Sequence, residues 1–143
     1  MTDMTNRKLP AGIQSFKTIR EEGYLYVDKS DIVWQLVNRG KMFNYLSRPR
    51  RFGKSILVDT LAAYLEGKKE LFEGLKIMQL EKDWKQYPVI RLDMSRGGAN
   101  AETIRSYLNL RFKDYEKMYG ITPIPTAQLA DRFDAIITTA YQQ

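Results

Sequence analysis

The chain has 143 residues, 43% of them hydrophobic and 12% aromatic, which suits one domain burying roughly two-thirds of its unfolded surface. With no cysteine and no histidine it cannot form disulfides, Cys/His zinc sites, Ser-His-Asp triads or Cys-His nucleophiles, and it fits a reducing cytoplasm. Its net charge of +6 is local: Arg39, Lys41, Arg48, Arg50, Arg51 and Lys54 follow one another with no acidic residue between, and without these six the chain balances at 17 basic and 17 acidic residues.

Met1 to Lys8 has no periodicity and reads as a disordered end. Leu9-Pro10-Ala11-Gly12 is a turn, after which Ser15 caps a short helix through Glu22, stopped by Gly23. Tyr24 to Val27 reads as a short strand. Asp28 or Ser30 then caps a helix carrying Ile32, Val33, Leu36 and Val37, closed by Gly40. The continuous apolar run Met42 to Leu46 predicts a central strand buried on both faces. Beyond the next loop, Leu57, Leu61, Tyr64 and Leu65 recur at helical spacing up to Gly67.

Leu71-Phe72 suggests a helical turn, Gly74 a bend and Leu75 to Leu80 a minor strand. Pro88 to Met94 predicts a second clear strand, with proline tolerated at its entry. Asn100 caps a long amphipathic helix with Ile104, Leu108, Phe112, Tyr115 and Met118 on one face, ended by Gly120. Thr126 caps a last helix that groups Leu129, Phe133, Ile136, Ile137 and Ala140. No apolar run approaches the ~18 residues of a membrane span, so no membrane partner is expected. Alternating strands and helices predict an α/β fold, and a chain closing on a helix reads as the N-terminal part of a larger domain.

The basic cluster ends in Pro49-Arg50-Arg51-Phe52-Gly53-Lys54-Ser55, between a predicted strand and a predicted helix. That is the setting of a phosphate-binding loop: glycine lets backbone N–H groups turn around an anion, and the helix start adds partial positive charge. Lys54 would reach the β/γ-phosphates of ATP and the Ser55 hydroxyl would hold Mg²⁺. The usual pattern has a glycine where this chain has Arg48, and the alternative is an arginine-rich surface turn leading into a helix. Among the acids, Asp93 ends the second strand and is the candidate to position magnesium, or simply bonds to its own loop. Asp59 reads as part of a solvated helix face, Glu21-Glu22 as a helix end, and Asp28-Lys29 as a helix cap or an approach to the nucleotide.

Leu9-Pro10, Gly12 to Phe16, Tyr24 to Ser30, Arg48 to Ser55 (RPRRFGKS) and Tyr87 to Asp93 (YPVIRLD), taken together, resemble the AAA-ATPase-like family of bacterial proteins. The resemblance covers nearly the whole chain. It implies a P-loop NTPase-like fold, a partial parallel sheet flanked by helices, within a protein that usually continues into a PD-(D/E)XK nuclease-like domain. In that family the arginine-rich Walker A loop without its first glycine is usual. The family's Walker B strand, an apolar run ending in Asp-Glu-Tyr-Asp, follows a helix like Thr126 to Tyr141, and no such run occurs here. The resemblance therefore implies a segment truncated before Walker B, with Asp93 on a different strand and little hydrolysis by the segment alone. Two other functions fit the same residues. One is a nucleic-acid-binding module using the arginines with Tyr45 and Phe52; the other is a degenerate loop acting as a scaffold for self-association through an exposed sheet edge.

Overall fold

Ser15 sits in extended backbone just before the first helix and its hydroxyl accepts the N–H of Thr18, so α1 (Phe16–Glu21) starts where a side-chain oxygen can satisfy an orphan amide. In the computed structural model, which describes residues 7–40 and 43–143, α1 is followed by α2 (Ser30–Asn38), α3 (Lys54–Leu65) and the short α4 (Ile77–Leu80). Then come α5 (Ala101–Tyr119) and α6 (Leu129–Tyr141), with 3-10 turns at Lys69–Phe72 and Met94–Gly97. The chain divides into two units, Met1–Val89 and Ile90–Gln143.

In the first unit Phe16 of α1, Val33 of α2, and Ala63 and Tyr64 of α3 bury against Leu71, Phe72, Leu75 and Ile77. The aromatic rings form a chain, Tyr26 to Phe16 at 5.2 Å, Phe16 to Phe72 at 4.9 Å and Phe72 to Trp84 at 5.3 Å. Such ring pairs add about 0.5–1.5 kcal/mol each beyond the area they bury. Polar ties hold the elements in register around this core. Arg20 of α1 donates to the carbonyls of Leu71 (2.7 Å) and Glu73 (2.6 Å). Tyr64 donates to the Glu81 carboxylate and accepts from Asn38, and burial with the Glu81 bond pushes its hydroxyl up to about 12.

Asp28 anchors the start of α2. It accepts from the N–H (2.9 Å) and hydroxyl (2.6 Å) of Ser30 and from the Lys76 N–H (2.8 Å), while the Ser30 hydroxyl accepts from Ile77 (3.1 Å). Burial pushes the Asp28 carboxyl up, but the bonds from Ser30 and Lys76 outweigh it and leave the pKa lowered. The Asp28-Lys29 pair therefore serves the helix cap, with both carboxylate oxygens already engaged.

In the second unit α5 and α6 pack through Phe112, Tyr115 and Ile136, with the Phe112 and Phe133 rings stacked at 5.4 Å. Asn100 caps α5 through Thr103 N–H, and Gly120 ends it in the left-handed region at φ +66°. The start of α6 differs from the expected Thr126 cap: Gln128 and Asp131 form a reciprocal capping box. Arg132 of α6 makes a two-pronged ion pair with buried Glu116 of α5 (2.6 and 2.9 Å) and donates to Asn109 (2.6 Å).

The α/β expectation is corrected: no strand occurs among the described residues, and the expected partial parallel sheet, cut off before a Walker B strand, is not the architecture. Met42 lies outside the described residues, and Phe43 to Leu46 is irregular and exposed, with Tyr45 93% exposed. Tyr24 to Val27 and Pro88 to Asp93 are irregular too, and Leu75 to Leu80 is largely α4. A strand requires a neighbour for its backbone groups, and here other partners take that role. The Tyr115 hydroxyl accepts from Arg91 N–H (2.8 Å) and donates to the Arg91 carbonyl (3.1 Å), while the Tyr107 hydroxyl accepts from Asp93 N–H (2.7 Å). Ile90 and Leu92 pack against the core of the second unit, so the segment lies on a helix face rather than in a sheet. Of the loose end expected at Met1 to Lys8, residues 1–6 lie outside the described residues, and the Lys8 carbonyl accepts from Leu25 N–H.

Candidate phosphate-binding loop

Pro49 to Phe52 forms an exposed turn whose main chain enters the left-handed region twice, at Arg51 (φ +64°) and at Gly53 (φ +76°). A side chain disfavours that conformation, so glycine suits the second position and Arg51 carries strain at the first. The second reversal makes Gly53 the N-cap of α3, which begins at Lys54.

Gly53 has no side chain to cap the helix, and among the described residues no side chain is seen to accept from the amides of its first turn. The longer helices α2, α5 and α6 each have a first-turn amide bonded to a side-chain oxygen, from Asp28, Asn100 and Gln128 respectively. The start of α3 thus presents backbone donors and the positive end of a 12-residue helix with no side-chain acceptor among the described residues.

In front of it lies a hollow of about 670 Å³ lined by Arg50, Arg51, Gly53, Lys54, Ser55 and Ile56 from the loop and helix, and by Gly12, Ile13 and Gln14 from the turn before α1. No carboxylate lines it, and the Arg50, Arg51 and Lys54 side chains have no ion-pair partner among the described residues. Five of the seven expected loop residues meet here. Phe52 instead lines a neighbouring apolar cavity, and Pro49 lines neither. Gly12 to Gln14 were given no role by spacing; the Gly12 to Phe16 motif was the signal that could have pointed to them.

The acids fall elsewhere. Asp93 belongs to the second unit, where its carboxylate caps the 3-10 turn Met94–Gly97 by accepting from the Ser95 N–H (3.1 Å) and hydroxyl (2.5 Å), with Arg96 at 3.4 Å. The Ser95 bonds lower its pKa foremost, against burial and with help from Arg96. Asp59 is not a solvated face residue: from α3 it accepts the N–H of Phe16 (2.6 Å), the first residue of α1. Among the described residues there is no cluster of three or more acidic, histidine or cysteine groups able to hold a metal, and no helix is long and apolar enough to cross a membrane.

A family described as "Predicted AAA-ATPase" (AAA-ATPase-like) matches residues 10–143. The chain belongs to this family. An uncharacterised protein encoded in the vnfD 5' region of Azotobacter chroococcum is 46% identical over 96 residues, 66% of this chain and 18% of that protein. The chain therefore spans under a fifth of the length of the curated relative it matches. No solved structure matches it. Family membership makes an ATPase-type module the coarse description of the chain, and the candidate loop lies inside the matched span.

Proposed function

We propose that the chain binds a nucleoside triphosphate, ATP in the first instance, with its phosphates in the hollow at the start of α3. The observation that supports this most is the coincidence of an uncapped helix N-terminus with a cationic lining free of carboxylates. Backbone N–H groups and the helix dipole favour an anion, and the Lys54 ammonium and the Arg50 and Arg51 guanidinium groups supply the countercharge. Magnesium would enter with the nucleotide. The lining offers one hydroxyl, Ser55, and no acid, which fits an ion held mainly by phosphate oxygens and water. Nothing in the lining can act as a general base, so binding without appreciable hydrolysis is the activity proposed for this chain, and ATP hydrolysis is proposed for the whole protein.

MgATP at about a hundred times its dissociation constant should stabilise the fold by roughly 2.7 kcal/mol, seen as a melting temperature several degrees higher. Lys54→Ala should abolish most of that shift. An unmoved melting temperature at millimolar MgATP, or an equal shift in the variant, would sink the proposal.

A second reading, nucleic-acid binding, draws support from Phe43 (87% exposed), Tyr45 and Phe52 beside Arg48, Arg50 and Arg51. Exposed rings and arginines together suit stacked bases and phosphates. It predicts oligonucleotide binding with a log–log salt slope of roughly −4 to −5 for six phosphate contacts. Binding insensitive to salt would exclude it.

A further inference from the structure

Beside the cationic hollow lies a second cavity, of about 450 Å³, with a lining of opposite character. Ile13, Gly53 and Ile56 border both. Leu9, Val27, Ile32, Leu46 and Phe52 all line it although each is substantially exposed, Leu9 by 72% and Val27 by 70%. Scattered surface apolar residues need no explanation, but five converging on one concavity mark a surface meant to be covered. Its volume is that of a small-molecule site, within the usual range of roughly 300–1,000 Å³.

We propose that this cavity takes the base and sugar of a nucleoside triphosphate whose phosphates occupy the neighbouring hollow, an inference that rests on the phosphate-binding reading above. The occupant is argued from continuity and charge. A ligand spanning the two cavities must be apolar and flat at one end and polyanionic at the other, with the junction at Gly53, where an absent side chain lets it pass close to the backbone. Among the described residues, the polar side chains in the apolar lining are Tyr26, Lys29 and Arg48, and the Tyr26 hydroxyl already contacts Thr60. Lys29 and Arg48 can donate to the N7 acceptor that adenine and guanine share, and with no carboxylate or amide side chain among the described lining residues to tell the two edges apart, recognition comes from burial and from stacking on Phe52. Adenine and guanine are therefore accepted alike.

Titration calorimetry of the 143-residue chain with MgATP, MgGTP and magnesium tripolyphosphate tests this. Both nucleotides should bind at least about tenfold more tightly than tripolyphosphate and within about threefold of each other. Val27→Trp, which fills the cavity from an exposed position, should bring nucleotide affinity down to that of tripolyphosphate and leave tripolyphosphate unchanged. Should that variant melt early without ligand, Ile32→Trp from the neighbouring helix carries the same test. Equal affinities for tripolyphosphate and nucleotides, or nucleotide binding untouched by a folded filling variant, would overturn the base site and leave the phosphate reading standing. A preference for one purine beyond about tenfold would overturn recognition by burial alone. Failure of all three ligands to bind would overturn both readings.

Discussion

Asp28 illustrates how a short polar motif can be structural. One carboxylate holds two groups of Ser30 and reaches the Lys76 amide, joining the starts of α2 and α4. Its folded pKa is depressed, so the stability it contributes is present above the unfolded value and is lost as pH falls through the folded one. In urea unfolding from about pH 6 to about pH 3, the native chain should therefore lose more stability than Asp28→Ala. Parallel curves would remove the carboxylate from the acid response. Glu116 and Arg132 are a different case, with side chains only 3% and 12% exposed. Glu116→Gln leaves a buried cation short of its partner and should cost about 3–5 kcal/mol, whereas Glu116→Leu with Arg132→Met should cost much less. Chemical denaturation of the three proteins separates the two outcomes, and a near-neutral Glu116→Gln would contradict the pairing.

At the scale of elements, the entry to α3 depends on a single backbone conformation. An added Cβ at Gly53 meets no atom within 4 Å, so Gly53→Ala tests the left-handed φ and nothing else. It should destabilise the first unit by about 1–2 kcal/mol, read as a lower denaturation midpoint. The segment at Ile90 to Asp93 depends on helix α5 in the same way. Tyr115→Phe removes the hydroxyl that accepts from the Arg91 N–H and donates to the Arg91 carbonyl, and should cost about 1–3 kcal/mol in equilibrium unfolding. A stable Tyr115→Phe protein would mean that those backbone groups have other partners. The run reads as a strand because Val89, Ile90 and Leu92 follow a proline suited to a strand entry, and a helix surface bearing hydroxyls at the right spacing satisfies such a segment equally well.

For the whole molecule the dominant asymmetry is charge, since the net +6 is carried by the stretch from Arg39 to Lys54. Long-range attraction between exposed charges is screened beyond a Debye length of about 8 Å at physiological salt. On the nucleotide-binding proposal, the association rate of MgATP should therefore fall severalfold between roughly 0.05 and 0.5 M salt, a change that stopped-flow mixing can follow. A rate independent of salt would separate binding from the basic cluster. The family match spans this cluster, and it was the combination of Leu9-Pro10, Gly12 to Phe16, Tyr24 to Ser30, Arg48 to Ser55 and Tyr87 to Asp93, rather than the arginine-rich loop alone, that pointed to the family.

The sequence by itself determined what is encoded within a few residues: the Ser15 and Asn100 caps, the stops at Gly23 and Gly120, the long helices α5 and α6, and a cationic loop running into a helix. Those signals are legible because a cap, a positive φ or a helical stripe involves groups one turn apart. Tertiary structure decided the rest. Whether Phe43 to Leu46 or Val89 to Leu92 would be strands depends on distant partners that an apolar run cannot name, and hydroxyls on α5 took that role for the second of them. The same dependence on distance hid Asp59 at the start of α1, the Glu116–Arg132 pair, and the meeting of Gly12 to Gln14 with Arg50 to Ser55 around one hollow.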